Sequence, residues 1–203
     1  MSKMMKDTAI LLVITLVSGL LLGLVYQITK EPIAIQKEKA KQKACQEVFQ
    51  EASSFEEVQV NQPDATAWAD AGFAQETIDE VMAAKDAAGE TIGYVITVTT
   101  KEGYGGDIRF TVGIANDGTV NGISILDITE TAGLGMRAEE VLAPQFANKN
   151  VEQFQYVKAG AAADHQIDAI SGATITTNAV TNGVNAGIYY FRTEMMLGGS
   201  GNE

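Results

Sequence analysis

The chain has 203 residues, 46% of them hydrophobic, and a formal net charge of −12. Residues 1–50 hold seven lysines and four acidic residues, whereas the remainder holds seven basic and 22 acidic residues. So acidic a domain repels phosphate rather than neutralising it, which excludes nucleic acid as a partner. One cysteine, Cys45, and one histidine, His165, exclude an intrachain disulfide and a zinc or cluster site built by this chain alone. No metal site is therefore expected. Any redox chemistry has to come from a borrowed group.

After a short N-terminal tail (residues 1–7), no charged residue occurs between Asp7 and Lys30. About 20 apolar residues suffice to cross a bilayer. Residues 8–29 therefore read as a transmembrane helix. The run continues through Tyr26, an interface anchor, to KEPIAIQ, and no small-residue cleavage site follows closely, so a retained single-pass anchor is expected rather than a signal peptide. Gly19 and Gly23 within it have the spacing that lets helix backbones approach, which suits packing against the helices of a membrane complex. Counting lysines on either side leaves the orientation open, because the rule weakens for a long translocated domain.

Residues 30–55 read as a juxtamembrane helical connector, with a kink or restart at Pro32. The stretch NQPDATAWAD reads as a loop and AQETIDEVMAAKDA as a short helix. Three runs rich in Ile, Val, Thr and Tyr follow, at 91–100, 107–115 and 119–128, separated by KEGYGG and NDGT. Such breaks carry turn chemistry, so an antiparallel meander is expected. GMRAEEVLAPQFANK then reads as a helix, FQYVKAG as a short strand, and the segment from Asp168 as a strand end leading into a last helix from Ser171. The fold class is α+β: one antiparallel sheet flanked by helices, over residues 56–195, with a flexible tail at 196–203.

The last helix raises a chemical question, because SGATITT places four hydroxyls where one would cap. At 100° per residue, Ile175, Ala179, Val180, Val184 and Ile188 share an apolar side. Thr174, Thr177, Asn178, Thr181 and Asn185 share a polar side, and Thr176 lies away from both hydroxyl neighbours. Thr174 and Thr177 thus stand at the end where free N–H groups and the positive dipole favour a phosphate. Small Gly172 and Ala173 leave room for a bulky group. A capped, threonine-rich surface helix would look the same.

DAISGAT, Asp168 to Thr174, resembles the flavinylation motif of the FMN-binding domain family. GYGGDIRFTVGI (103–114) and ETAGLGMRAEE (130–140) resemble the glycine hairpin and the Glu-Thr-x-Gly-Leu-Gly segment of that domain, with Ala132 where the family often has proline. The resemblance implies FMN held covalently, its phosphate esterified to the hydroxyl of Thr174 by a flavin transferase that uses FAD, with Thr177 the second choice. It implies further that Ser171 caps the helix, and that Asp168 assists the transferase or closes an ordinary Asx turn. It also implies that Tyr104 lies against the isoalloxazine or simply packs, and that Glu130, Thr131, Leu134 and Gly135 line the flavin site. No independent catalytic residue is expected, and His165 is expected at the surface.

From Lys6 to Phe191 the chain resembles the G subunits of Rnf-type ion-translocating ferredoxin:NAD+ oxidoreductases. That implies an electron relay within a complex of membrane and peripheral subunits, its flavin domain outside the cytoplasm. The C subunits of sodium-translocating NADH:quinone reductases share the domain but are generally longer. A non-redox membrane tether and a flavin-binding sensor are the readings from other functional classes.

Overall fold

The computed structural model describes residues 3–196, and the expected tail beyond Met196 lies outside the described residues. Two compact units divide the chain, one through Gln42 and one from Lys43 onward.

The first unit is helical. Helix α1 spans Lys3–Val48 and includes Pro32 without interruption, so the expected restart there is absent. It is the one described helix long and apolar enough to cross a membrane. Its uncharged stretch would extend about 33 Å at the helical rise, which matches a hydrocarbon core of about 30 Å. Thr8, Thr15 and Thr29 donate their hydroxyls to the carbonyls of Met4, Leu11 and Val25, at 2.8, 3.1 and 2.9 Å. Each hydroxyl is thereby satisfied inside the helix, as an apolar surround demands.

The second unit begins with the last turns of α1 and contains a five-stranded antiparallel sheet. Its strands β1 (Ser54–Val58), β2 (Glu76–Lys85), β3 (Thr91–Thr100), β4 (Ile108–Ala115) and β5 (Val120–Ile128) lie in sequence order. The meander expected for β3–β5 is present, and two further strands extend it. Two expectations fail here. AQETIDEVMAAKDA is not a helix but supplies β2, because buried Glu76 and Ile78 alternate with exposed Thr77 and Asp79, and the strand pairs with β3 along its length and with β1 over Val81–Lys85. NQPDATAWAD is not all loop: Asp64 accepts from the N–H groups of Thr66 and Ala67 and caps helix α2 (Ala65–Asp70).

The expected helix at GMRAEEVLAPQFANK is broken into a 3-10 turn (Gly135–Arg137), α3 (Ala138–Val141) and a second 3-10 turn (Ala143–Phe146). Pro144 lacks the N–H that an uninterrupted helix would need. Strands β6 (Gln155–Val157) and β7 (Gln166–Asp168) form a parallel pair, and helix α4 follows at Thr174–Tyr190.

Alternation along the strands gives the sheet two covered faces. Ile96, Val98, Phe110 and Val112 pack on α4, together with Leu142, Phe146 and Phe154. A Cβ at Gly183 would meet the Phe110 ring at 2.6 Å, so only glycine lets α4 lie this close. On the opposite face, Cys45, Val48, Phe49 and Ala52 pack on Ala84 and Val95. Cys45 is thus buried at the end of the lysine-rich stretch, its sulfur 3.9 Å from that of Met82. Ser124 donates to Glu47 at 2.6 Å. That hydroxyl and then Lys43, against the opposing effect of burial, hold the Glu47 carboxyl below its ordinary value.

Candidate functional site

Three segments distant in sequence converge beside the N-terminus of α4. They are the glycine loop between β3 and β4, the segment after β5, and the turn preceding α4. Together they line a cavity of about 540 Å³, with Tyr104, Glu130, Thr131, Leu134, Gly135, Gly172, Ala173, Thr174, Ile175 and Thr176 in its walls. Eight of the residues singled out from the sequence therefore stand together. Ile175 and Thr176 are the two that sequence reasoning missed.

The helix starts later than expected. Ala173 is its N-cap and offers no side-chain acceptor, so Ser171 does not cap it. The N–H groups of Thr174, Ile175 and Thr176 consequently have no acceptor within the helix, and the positive end of the dipole faces the cavity. Gly172 reaches φ +78°, which a side chain would strain, and this turn brings Ala173 and Thr174 round to the cavity.

The threonines have unlike surroundings. Thr174 is exposed, and its hydroxyl is engaged by no other described residue. Thr176 is buried and donates to Glu130 Oε2 at 3.0 Å. Thr177 is fully buried: its hydroxyl donates to the Ala173 carbonyl at 2.9 Å and accepts from the Ile170 N–H at 3.1 Å. The polar side expected for α4 is thus largely internal. Thr181 donates to the Thr177 carbonyl at 2.7 Å, and Asn185 exchanges two hydrogen bonds with the Phe154 backbone. Ile175, placed on the apolar side by its angle, is instead exposed at the cavity, because the sheet packs only on later turns.

Glu130 joins two walls. Its Oε1 accepts from the Gly105 N–H at 3.1 Å while Oε2 accepts from Thr176. A Cβ at Gly135 would stand 2.6 Å from Thr176 Oγ1 and 2.8 Å from Glu130 Oε2, so this close approach requires glycine. Asp168 does not line the cavity. Its Oδ1 accepts from the Ala161 N–H at 2.8 Å and its N–H donates to Gln145 Oε1 at 2.6 Å, which braces the preceding loop. His165 is exposed, as expected.

Tyr104, Leu134, Met136 and Ile175 are exposed large hydrophobic residues, and all but Met136 line this cavity. A concave site of about 300–1,000 Å³ with apolar walls and a few polar groups is the usual form of a small-molecule site. These walls fit FMN: apolar side chains for a flat ring system, free helix-terminal amides and a hydroxyl for a phosphate, and glycines where bulk would intrude.

Comparison with known proteins agrees. Residues 103–189 match the FMN-binding domain family, and residues 1–48 match the RnfG N-terminal region. The G subunit of the Na+-translocating ferredoxin:NAD+ oxidoreductase complex of Acetobacterium woodii is 34% identical over 185 residues, covering 90% of this chain and 89% of that protein. Its counterpart in the proton-translocating ferredoxin:NAD+ oxidoreductase complex of Clostridium ljungdahlii is 33% identical over 174 residues, covering 85% and 83%. The crystal structure of NqrC from Shewanella oneidensis superposes with a TM-score of 0.50 at 22% identity, over 60% of this chain and 61% of that one, and shares the fold. The chain belongs to the family of G subunits of ion-translocating oxidoreductase complexes, and its residues 103–189 are an FMN-binding domain.

Proposed function

We propose that this chain is a membrane-anchored electron relay that carries FMN esterified through its phosphate to Thr174, within a ferredoxin:NAD+ oxidoreductase complex that moves ions. The observation that carries this reading is the contrast among the α4 threonines. Thr174 alone of the first-turn hydroxyls is both exposed and unengaged, at the mouth of the cavity and beside three free amides. A phosphoester at its Oγ1 puts the phosphate where those amides donate and the dipole is favourable.

In forming that ester from FAD, Thr174 loses its hydroxyl proton and its Oγ1 bonds to the flavin-side phosphorus. The pyrophosphate link breaks and AMP leaves. A separate flavin transferase suits this step, because among the described residues Asp168 is turned to Ala161 and Glu130 is engaged by Gly105 and Thr176. Bound FMN would supply the one-electron chemistry of a relay. The chain's own residues hold and shield the group. Tyr104, Leu134 and Ile175 would offer apolar surface to its rings, Glu130 and Thr131 would supply polar atoms in the same wall, and Gly135 lets Glu130 and Thr176 approach each other behind it. A covalent tether retains the carrier through turnover.

The family resemblance supports a domain outside the cytoplasm, with α1 as its span among the other subunits. The readout that tests the tether is fluorescence of the chain on a denaturing gel after co-expression with a flavin transferase. Wild type is expected to fluoresce under blue light, and Thr174→Ala to be dark. A bright Thr174→Ala band would refute the assignment.

A further inference from the structure

The loop between β3 and β4 contains Gly103, Gly105 and Gly106 around Tyr104, and three glycines give it almost no side-chain packing of its own. Tyr104 is 70% exposed, and its ring stacks on no other aromatic ring among the described residues. With so exposed a ring, its place over the cavity depends on what holds its backbone. Two carboxylates do so, one on each side. Glu130 takes the Gly105 N–H and ties it to Thr176 of α4. Glu102 Oε2 accepts from Asn182 Nδ2 at 2.7 Å and from Asn178 Nδ2 at 3.3 Å. Those two asparagines are one helical turn apart, and Asn178 lies one turn beyond Thr174. The Glu102 N–H also donates to Thr100 Oγ1 at 3.3 Å, which fixes the carboxylate's own stem at the end of β3.

We propose that Glu102 is a positioning residue for the flavin: through Asn178 and Asn182 it straps the glycine loop to α4 and so sets Tyr104 against the ring system held at Thr174. This rests on the reading of Thr174 given above. Glu102 lies outside the cavity wall and touches nothing bound there. It acts through the loop. Hydrogen bonds to an ionised carboxylate are the stronger kind, and two of them on one oxygen hold the loop where glycine entropy opposes order.

The test uses the full-length chain in detergent, prepared with and without flavin transferase. In the flavin-free chain, Glu102→Ala is expected to raise amide exchange at residues 103–106 about tenfold or more, the effect of losing both charge-assisted hydrogen bonds to α4. In the loaded chain, intact mass should show unchanged flavin content, while emission rises several-fold. A tyrosine ring in contact with an excited flavin quenches it by transient electron donation that then reverses. Tyr104→Leu should brighten the flavin equally without loosening the loop. Glu102→Gln keeps an acceptor oxygen and should restore most of the quenching. Asn178→Ala/Asn182→Ala removes the same strap from the helix side and should match Glu102→Ala, including where that variant does not fold. Unchanged exchange and unchanged emission in the asparagine double variant would overturn the proposal. Absence of flavin from the wild-type chain would instead overturn the Thr174 reading, and the exchange data would still decide whether Glu102 holds the loop.

Discussion

Three hydroxyls stand at residues 174, 176 and 177, and the work each does is set by its neighbours rather than by its type. Thr177 is structural: its hydroxyl both donates to Ala173 and satisfies the Ile170 N–H in the core. Thr177→Val should therefore leave a buried N–H without a partner and cost about 1–3 kcal/mol of stability. Flavin content of the protein that folds should be unchanged; a chemical denaturation curve alongside a mass spectrum measures both. The sequence placed Thr174 and Thr177 on one face and could not separate them. What separates them, Ile170 and the N-cap at Ala173, depends on where the helix starts, and that start is delayed by Gly172 at positive φ. Thr176 was passed over because its partner, Glu130, lies 46 residues away and meets it only in the fold. Glu130, Thr131, Leu134, Gly135 and Tyr104 were legible only through their motifs; no periodicity brings those segments together.

At the scale of elements, β3, β4 and β5 were readable because β-branched runs end at strong turns, and α4 because it is long. Strand β2 was not. Glu, Ala, Met and Lys favour a helix locally, and pairing to two neighbours overrides them. The same strand begins with a buried carboxylate. Glu76 is 5% exposed; Thr100 donates to its Oε1 at 3.1 Å, while Oε2 has no partner among the described residues. Burial, and then the charge of Glu102, push its carboxyl above the ordinary value. The folded state therefore binds this proton more tightly than the unfolded chain does. Its contribution to stability is complete below the ordinary glutamate value, ~4.3, and is lost as pH rises through the raised one. Thermal midpoints of wild type should accordingly decline more steeply with pH above that value than those of Glu76→Gln. Parallel declines would show that Glu76 titrates normally.

For the whole molecule, one apolar helix and an acidic domain were plain from composition, and the lysine count alone left the topology unsettled. The flavin domain is expected outside the cytoplasm, and the protein offers a clean way to ask. Its single cysteine, Cys45, is 2% exposed, so labelling background is low. Ala88 sits in the exposed turn between β2 and β3. Ala88→Cys in intact cells should react with a membrane-impermeant maleimide before lysis. Protection until lysis would put the domain inside.

Whether Thr174 carries the flavin decides the rest, and intact mass spectrometry of the detergent-purified chain answers it. With a flavin transferase present, wild type and Thr177→Ala should each gain one FMN less water, and Thr174→Ala should gain nothing. A gain that survives Thr174→Ala, or that vanishes with Thr177→Ala in folded protein, would contradict the assignment.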